Sequence, residues 1–376
     1  MTARCNAASR LLPLLRKTHM RPTSFQGWIL IPLLLFVMPS RAVAQETAIS
    51  PGTRSVMDAH NCYPYFEWWS DRIDRALSAG PPLAIEQDLL WHTDKRTGKS
   101  WSVLAHGGPS SGDEPTMESY FFTRIRPIVE QALRENNRRE WPLITLNLDF
   151  KSEEPEHLAA IWLLLEKYRA WLTSAPRTPE VRIVEPLTVG PVLVLTGESD
   201  AQQKVFYNDV AVGDRLLVFG AVHTHLDDPM APPTVLEPDP ADNYRRWWNN
   251  PWRVVEPGGQ TAAGGWTAFG NERLRALVQH AHSRGLWIRF YTLDGAPTEE
   301  LSCHGWFRNY NFGSLAAARL RWQAAYSAGV DYIATDQYEQ VAGYLRSLAQ
   351  PPEQSLRGDP APHCQTKNRE SRPSQR

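Results

Sequence analysis

The amino-acid sequence predicts an α/β fold, a single-domain (β/α)8 TIM-type barrel, with an open doubly wound sheet as the alternative. Short apolar runs alternate with amphipathic helical patterns from about residue 55 to about residue 346. Several runs are almost continuously apolar, as parallel strands are when helices cover both faces of their sheet. The chain lacks Gly-x-Gly-x-x-Gly and Walker sequences, which weighs against an open nucleotide-binding sheet.

The predicted strands are short runs rich in Val, Ile, Leu and aromatic residues that end at small or polar residues. They are Val56–His60, Leu83–Leu89, Ser102–Ala105, Leu143–Phe150, Val192–Thr196, Leu216–Val222, Leu286–Tyr291 and Tyr332–Thr335. Residues 226–265 are rich in Pro, Gly and Trp and have no clear period. We therefore expect a long loop over one end of the barrel there.

The predicted helices lie between the strands and have recognisable ends. Ser70–Ala79 begins with a capping serine and stops before a glycine. Pro155–Leu172 has proline near its start and carries an apolar stripe. Asn271–Arg284 begins with a capping asparagine and ends with a cation before a glycine. Ser314–Ala328 also stops before glycine, and Tyr338–Leu348 closes the domain before two prolines.

Both ends of the chain are expected to lie outside the barrel domain, which we place at residues 45–350. Residues 1–44 have the features of a signal peptide, because basic residues precede the apolar segment Gly27–Met38 and Ala42-Val-Ala44 supplies a cleavage site. Met20 is an alternative start, and an uncleaved anchor is the alternative to cleavage. Residues 351–376 are polar, proline-rich and basic, which predicts a disordered tail. We expect a secreted or periplasmic protein.

Composition restricts the classes of partner and the chemistry of the cysteines. The chain of 376 residues is 42% hydrophobic with a formal net charge of −1, so we expect a sizeable core and no nucleic-acid partner, which would require a clustered basic excess. Cys303 and Cys364 are a candidate disulfide pair in an oxidising compartment. Cys62 is either a catalytic thiol or, as we favour, a buried structural residue.

Acidic side chains at the ends of predicted strands form a candidate metal site. Glu86 and Asp88 are separated by one residue on a strand, so both side chains leave the same face. An exposed face would leave both carboxylates solvated, but the apolar neighbours argue that it is buried. Two buried carboxylates repel each other unless a cation lies between them or they share a proton. Asp149 ends the next long strand and is the third expected ligand, while Asn61 offers a neutral amide oxygen. These oxygen donors suit Ca²⁺ or Mg²⁺.

Two histidines have the positions expected of an acid–base pair. His60 and His106 each follow an apolar strand and precede small or polar residues. One can accept the proton of an attacking hydroxyl while the other donates a proton to the leaving oxygen. Either one alone would be interpreted as a packed or surface histidine. Lys151, two residues beyond Asp149, is expected either to neutralise a phosphate oxygen or to form an ion pair with Asp149 or Glu153.

Weaker signals lie later in the chain. Arg289 and Tyr291 alternate on a strand, so both are candidates for substrate contact, with core packing and an ion pair as the alternative. His223 and His225, which precede two aspartates, are candidates for a zinc site, although hydrated loop residues are favoured. Tyr244–Arg253 interleaves cations with aromatic residues, which predicts either contact with a lipid interface or headgroup, or a loop that covers the barrel.

Taken in order, these motifs resemble a known superfamily. The series His60-Asn61, Glu86-x-Asp88, His106-Gly107 and Asp149 resembles the catalytic X half of phosphatidylinositol-specific phospholipases C. That resemblance implies two acid–base histidines and a calcium site at these positions. With Asp149-x-Lys151 in place of Glu-x-Lys, the series is also similar to glycerophosphodiester phosphodiesterases, whose closing signature matches residues 329–336. Over about residues 55–346 the chain most resembles the altered-inheritance-of-mitochondria phosphodiesterase-like family within that group.

The chain departs from those families in ways that affect the substrate more than the reaction. Asp149 replaces the usual glutamate, and the Pro-Glu-Asn-Thr segment of glycerophosphodiesterases is absent. We expect a secreted, metal-dependent phosphoric diester hydrolase that acts on a glycerophosphodiester or phosphoinositide-like substrate, with peripheral membrane contact. One alternative is a barrel that binds a phosphorylated or lipid ligand without hydrolysing it. A zinc hydrolase that uses His223 and His225 is the other.

Overall fold

The computed structural model describes residues 49–64, 69–237, 239–301 and 307–349. The predicted signal peptide, the predicted C-terminal tail and the predicted Cys303–Cys364 disulfide lie outside the described residues. The domain limits at residues 45 and 350 therefore stay a prediction.

Parallel strands form a closed barrel in the middle of the domain. The strands are β1 (Val56–Ala59), β2 (Leu83–Thr93), β3 (Ser100–Leu104), β4 (Ile144–Phe150), β5 (Ala175–Pro176), β6 (Val192–Thr196), β7 (Arg215–Leu216), β8 (Phe219–Ala221), β9 (Arg245–Pro251), β10 (Trp287–Tyr291) and β11 (Tyr332–Thr335). The ring runs β1, β2, β4, β6, β8, β9, β10, β11, and β11 pairs with β1 to close it. The predicted (β/α)8 barrel is confirmed, and the open sheet is excluded.

Helices connect the strands and cover the outside of the barrel. They are α1 (Arg72–Ser78), α2 (Thr123–Glu135), α3 (Pro155–Lys167), α4 (Asp200–Gln203), α5 (Pro233–Leu236), α6 (Ala268–Ser283), α7 (Leu315–Ala328) and α8 (Tyr338–Ala349). The ends of α7 follow from its sequence. The Ser314 hydroxyl accepts from the Ala317 N–H, and Gly329 adopts the left-handed conformation that ends the helix.

The segment 226–265 was predicted as a loop, and that prediction was wrong. It contains β9, which lies in the ring between β8 and β10 and pairs in register with β10. Arg, Trp and Asn fill this strand in place of the usual β-branched residues, so the sequence pattern did not reveal it. Trp247, Trp248 and Trp252 are fully buried. These three tryptophans of the Tyr244–Arg253 stretch therefore belong to the core and supply neither a lipid-binding surface nor a covering loop.

Two other strand predictions need correction. The predicted strand Ser102–Ala105 corresponds to β3, which pairs antiparallel with the outer half of β2 and takes no place in the ring. The predicted strand Leu216–Val222 divides into β7, which pairs with β5 outside the barrel, and β8 within it. Both runs were apolar enough to resemble barrel strands, but sequence alone does not distinguish parallel from antiparallel pairing.

Helix starts were less predictable than helix positions. The first helix begins at Arg72 rather than at a Ser70 cap. Thr267, not Asn271, caps α6 by accepting from the Gly270 N–H. Helix α2 was not predicted, because it buries only three residues among many charged ones. Among the described residues, no helix is long and apolar enough to cross a membrane.

Removing a β9 tryptophan tests whether this segment is a core strand. Trp248→Ala is expected to lower the free energy of unfolding by about 3–5 kcal/mol, because a buried aromatic side chain leaves a cavity. Urea unfolding followed by circular dichroism measures the change. The control Phe269→Ala removes a ring that is 61% exposed, and should shift stability by no more than about 0.5 kcal/mol. If both variants lost equally little stability, Trp248 would lie on the surface.

Candidate active site

One cavity at the carboxyl ends of the barrel strands contains most of the predicted site residues. Its volume is about 230 Å³. It is lined by His60, Asn61, Glu86, His106, Asp149, Lys151, Asn249, Arg289, Tyr291, Phe307 and Tyr310. A neighbouring cavity of about 260 Å³ shares Glu86, Asp149, Asn249 and Arg289 with it. The structure therefore brings the predicted residues to one mouth of the barrel.

A larger cavity lies elsewhere and has a different character. It measures about 850 Å³ and lies between α3 and residues 201–215. None of the predicted site residues lines it. Size alone is therefore a poor guide to the chemistry of this protein, and the smaller cavity at the strand ends is the candidate active site.

Three carboxylates meet beside the cavity. In the parallel pairing of β2 with β4, Glu86 lies opposite Asn147 and Asp88 lies opposite Asp149. Since residues two apart share a face of a strand, Glu86, Asp88 and Asp149 project to the same side. One oxygen from each of these three side chains lies within 4.8 Å of the other two.

Asp88 is the member of this acid group that most needs a cation. It is completely buried, and neither of its side-chain oxygens has a hydrogen-bond partner among the described residues. Burial and the carboxylates of Asp149 and Glu86 raise its pKa well above the ordinary value. A buried, unsatisfied carboxylate beside two others is costly without compensation. Three clustered oxygen donors of this kind fit Ca²⁺ or Mg²⁺.

Glu86 differs because protein cations already surround it. Its Oε2 accepts from the Arg289 guanidinium and from the Asn147 amide, and its Oε1 lies 3.6 Å from His60 Nε2. Burial would raise the pKa of Glu86, but His60 and Arg289 lower it to about 2. Glu86 is therefore ionised at neutral pH and adds a fixed negative charge to the acid group.

The Lys151 ammonium lies among the same acids. Its Nζ is 2.7 Å from Asp149 Oδ2 and 3.2 Å from Asp88 Oδ2, the second contact being an ion pair without hydrogen-bond alignment. Burial would lower the pKa of Lys151, but Asp88 and Asp149 raise it. The ion pair with Asp149 was one of the two predicted roles of this residue. Contact with a phosphate stays a prediction.

A carboxylate holds His60 in place. Asp336 follows β11, and its Oδ1 accepts from His60 Nδ1 at 2.9 Å, which leaves Nε2 facing Glu86. Burial would lower the pKa of His60, but Glu86 and Asp336 raise it to about 9. Arg72 is fully buried behind this pair, where it donates to the Asn61 carbonyl and lies 3.5 Å from Asp336.

Asn61 occupies an unusual backbone conformation next to His60. Its φ of 53° lies in the left-handed region, which non-glycine residues rarely adopt. The side-chain amide nitrogen lies 3.2 Å from both Asp336 oxygens, and the amide oxygen accepts from the Tyr63 hydroxyl. These contacts orient the His60–Asp336 pair. The predicted role of Asn61 as a metal ligand stays a prediction.

His106 reaches the cavity by a different route from the one expected. It follows β3, so it arrives from the β2–β3 hairpin rather than from the end of a barrel strand. The imidazole is exposed and contacts the rings of Tyr63 and Phe307. Partial burial and the nearby Lys151 ammonium lower its pKa. The two histidines therefore line one cavity from different supports.

Arg289 matches the ion-pair alternative. It is buried at the cavity floor, where Nε donates to Asp58, Nη2 to Glu86 and Nη1 to Asn249. Each guanidinium nitrogen thus has a protein acceptor. Tyr291 is half-buried in the cavity wall and lies near Tyr310. Substrate contact by Arg289 and Tyr291 stays a prediction.

The weaker sequence signals do not form a second site. His223 and His225 are exposed and, among the described residues, belong to no group of three metal-ligating side chains. His223 lies 3.3 Å from Asp200 instead. Cys62 is buried and burial raises the pKa of its thiol, so the favoured structural interpretation fits.

Sequence reasoning missed several residues that shape the cavity. Asp336 had a usable signal, because it directly follows an apolar strand just as His60 does. Asn249 lay in the segment mistaken for a loop. Asp58, Arg72 and Tyr310 had no signal, since their roles depend on contacts between residues more than 10 positions apart in the chain.

Comparisons with known proteins give only distant similarity. No family model matches the chain, and no curated protein matches it. Similar solved structures include two glycerophosphodiester phosphodiesterases from Parabacteroides distasonis, each 13% identical. The alignment with the first has a TM-score of 0.37 and covers 78% of this chain and 87% of the other. The alignment with the second has a TM-score of 0.40 and covers 79% of this chain and 98% of the other. A 7,8-dihydropteroate synthase from Vibrio fischeri is 14% identical with a TM-score of 0.34, covering 80% of this chain and 96% of its own. Similarity this remote carries no functional argument, which must come from the site itself.

Substituting Asp88 tests whether the acid group binds a divalent cation. Ca²⁺ or Mg²⁺ is expected to raise the melting temperature of the EDTA-stripped wild type, since a ligand at a hundredfold excess over Kd stabilises by about 2.7 kcal/mol. Asp88→Asn should lose this response. Without metal, Asp88→Asn should be at least as stable as the wild type, because it removes a repelled buried carboxylate. Differential scanning calorimetry measures both effects.

Asp227→Asn is the matched control, because Asp227 is an exposed aspartate beside His225. It should retain the full response to metal. A wild-type response in Asp88→Asn would show that the acid group is not the cation site, and loss of the response in Asp227→Asn would favour the rival site at His223 and His225.

Proposed function

We propose that this protein is a metal-dependent phosphoric diester hydrolase. The observation that carries the proposal is the meeting of a buried acid group and two imidazoles at one cavity. Glu86, Asp88 and Asp149 provide oxygen donors for a hard divalent cation, and His60 and His106 provide imidazoles that can donate or accept a proton. Cleavage of a phosphodiester needs both kinds of group, because negative charge on the phosphate oxygens must be stabilised while one proton is accepted and another is donated.

The acid group would hold the cation, with Glu86, Asp88 and Asp149 as its ligands. A bound Ca²⁺ or Mg²⁺ supplies stabilisation of negative charge on the phosphate oxygens. Side chains of the protein would bind and orient the rest of the substrate. Lys151 lines the cavity beside the acid group, so its ammonium would reach a phosphate oxygen there when it is released from its carboxylate partners. Tyr291 and Tyr310 form the wall against which the alcohol part of the substrate would pack.

The two imidazoles divide the proton transfers. The oxygen of an attacking hydroxyl forms a new bond to phosphorus and gives its proton to one imidazole. The bond from phosphorus to the leaving oxygen breaks, and the other imidazole donates a proton to that oxygen. Asp336 holds the His60 ring with Nε2 toward the cavity throughout, so the ring need not be oriented by the substrate.

The non-catalytic alternative explains fewer features of the site. A barrel that only bound a phosphorylated ligand would need cations around it. It would not need an imidazole held by a buried carboxylate, because such support serves a group that changes its protonation state. The left-handed Asn61 beside that imidazole is a second costly feature at the same place.

We further propose a glycerophosphodiester or phosphoinositide-like substrate and export from the cytoplasm. The cavity supports the substrate class because its volume of about 230 Å³ and its polar lining would accommodate a small polar headgroup. Comparing hydrolysis of glycerophosphodiesters with that of phosphatidylinositol, by analysis of the phosphorylated product, separates the two classes. The signal-like sequence of residues 1–44 supports export.

Removing His106 tests the proposed chemistry. His106→Ala is expected to lower turnover of bis(p-nitrophenyl) phosphate by about two to four orders of magnitude, because one proton transfer loses its catalyst. The exposed ring can be removed with little effect on folding. His225→Ala removes an exposed histidine outside the cavity and should retain wild-type turnover. EDTA should abolish turnover in the wild type.

Each contrary result has a definite meaning. Turnover near the wild-type value in His106→Ala would exclude the proposed proton-transfer role. Turnover that resists EDTA would exclude metal dependence. Binding of inorganic phosphate or a phosphodiester without any hydrolysis by the metal-loaded wild type would favour the non-catalytic alternative.

The N-terminus of the mature protein tests export. Expression of the full chain in a secretion-competent host is expected to yield protein outside the cytoplasm that begins at Gln45, because signal peptidase cuts after small residues such as Ala42 and Ala44. Intact-mass spectrometry of the exported fraction measures this. Full-length protein found only in the cytoplasm would contradict the proposal.

A further inference from the structure

The Lys151 ammonium lies beside the carboxylates that would bind a divalent cation. Its ammonium pairs with Asp149 Oδ2 and Asp88 Oδ2, and these two aspartates belong to the acid group. A cation bound by these carboxylates would draw on the same two aspartate side chains, close to the oxygens that pair with Lys151. In the part of the chain that the structure describes, Lys151 thus acts as an internal counter-ion to the acid group.

The chain has a reason to supply such a counter-ion. Asp88 is fully buried with no hydrogen-bond partner in the described residues, and Glu86 is already engaged by Arg289 and Asn147. The Arg289 guanidinium donates to Asp58, Glu86 and Asn249, and among the described residues Asp88 accepts no hydrogen bond from it. Within the described ranges, the cation that pairs with Asp88 is Lys151, whose Nζ lies 3.2 Å from Asp88 Oδ2.

Lys151 is suited to leave this position. It follows the end of β4, its side chain is 20% exposed, and it lines the cavity. A lysine ammonium sits on a flexible four-carbon stem, so it can turn toward the cavity without moving the backbone. The carboxylates, by contrast, stand on β-strands paired in register and keep their places.

We propose that Lys151 is a displaceable counter-ion of the acid group. In the metal-free protein its ammonium holds Asp88 and Asp149, and a divalent cation displaces it toward the cavity, where the phosphate is expected. This inference rests on the proposed metal-dependent function and adds a regulatory property to the same site. Metal binding is therefore coupled to the contact of Lys151 with substrate, because one ammonium cannot pair with the two aspartates and with the phosphate at the same time.

Metal titration of Lys151 variants tests the competition without any enzyme assay. Isothermal titration calorimetry with CaCl2 or MgCl2 on EDTA-stripped protein should show about tenfold tighter binding to Lys151→Met than to the wild type, equivalent to about 1.4 kcal/mol. Lys151→Arg keeps the charge and should bind metal no more tightly than the wild type. Metal-free Lys151→Met should melt at a lower temperature than the wild type, and saturating metal should remove most of that difference.

The control is a second lysine–aspartate pair outside the site. Lys204 Nζ lies 2.8 Å from Asp209 Oδ2 at the surface. Lys204→Met should leave metal affinity unchanged, which separates release of the competing ammonium from a general loss of positive charge.

Chemical labelling of the wild type tests displacement directly. Acetylation of Lys151 by an N-hydroxysuccinimide ester, followed by mass spectrometry, should become faster when metal is added, because the ammonium is released from its two carboxylates. Labelling of Lys204 should not change. If Lys151→Met bound metal no more tightly than the wild type, or if metal did not accelerate labelling of Lys151, the counter-ion proposal would be overturned.

These measurements also separate this proposal from the proposed function. Tighter metal binding by Lys151→Met, together with an absence of phosphodiester hydrolysis in the wild type, would support the counter-ion and overturn the hydrolase. Metal-dependent hydrolysis with unaltered affinity in Lys151→Met would do the reverse.

Discussion

The candidate site is built on a buried guanidinium. Arg289 on β10 donates to Asp58 on β1, Glu86 on β2 and Asn249 on β9, so one side chain links four strands of the ring across its interior. Buried charges are costly unless they are paired and hydrogen-bonded. Arg289 meets that requirement for Glu86, and it keeps this carboxylate ionised at the floor of the cavity. Of the other charged side chains of the site, Asp149 and Lys151 lie closer to the mouth of the cavity.

This arrangement divides the three acids into different roles. Glu86 is held by Arg289 and Asn147 and cannot readily move, whereas Asp149 is half-exposed at the cavity rim. Asp88 lies between them, buried and unsatisfied, so its charge is the one most dependent on an external or internal cation. If the acid group binds a cation, the fixed Glu86 and the buried Asp88 would define the geometry of the site, and the half-exposed Asp149 would give it access to solvent. The position of Lys151 follows from the same imbalance of charge.

Sequence patterns predicted the fold class and identified residues that meet at one cavity, but they did not reveal every strand of the barrel. Alternation along strands placed Glu86 and Asp88 on one face, because a period of two is a local property of the backbone. The same reasoning missed β9, where buried tryptophans and arginines replace the usual apolar run. It also took the strand that precedes His106 for a barrel strand, whereas that strand belongs to an antiparallel hairpin outside the ring. Pairing partners are set by tertiary packing, which local sequence does not encode.

The two histidines have unequal support, and this follows from how each reaches the cavity. His60 directly follows a ring strand, and Asp336 follows the neighbouring strand β11, so the parallel pairing of β1 with β11 brings imidazole and carboxylate together. Arg72 then offsets the buried charge of Asp336. His106 lies beyond an antiparallel hairpin outside the ring and rests on aromatic rings with its imidazole exposed. In the proposed hydrolase, the fixed His60 imidazole would define where the reacting phosphorus lies, and the exposed His106 imidazole on the outer hairpin would leave room for alcohols of different size.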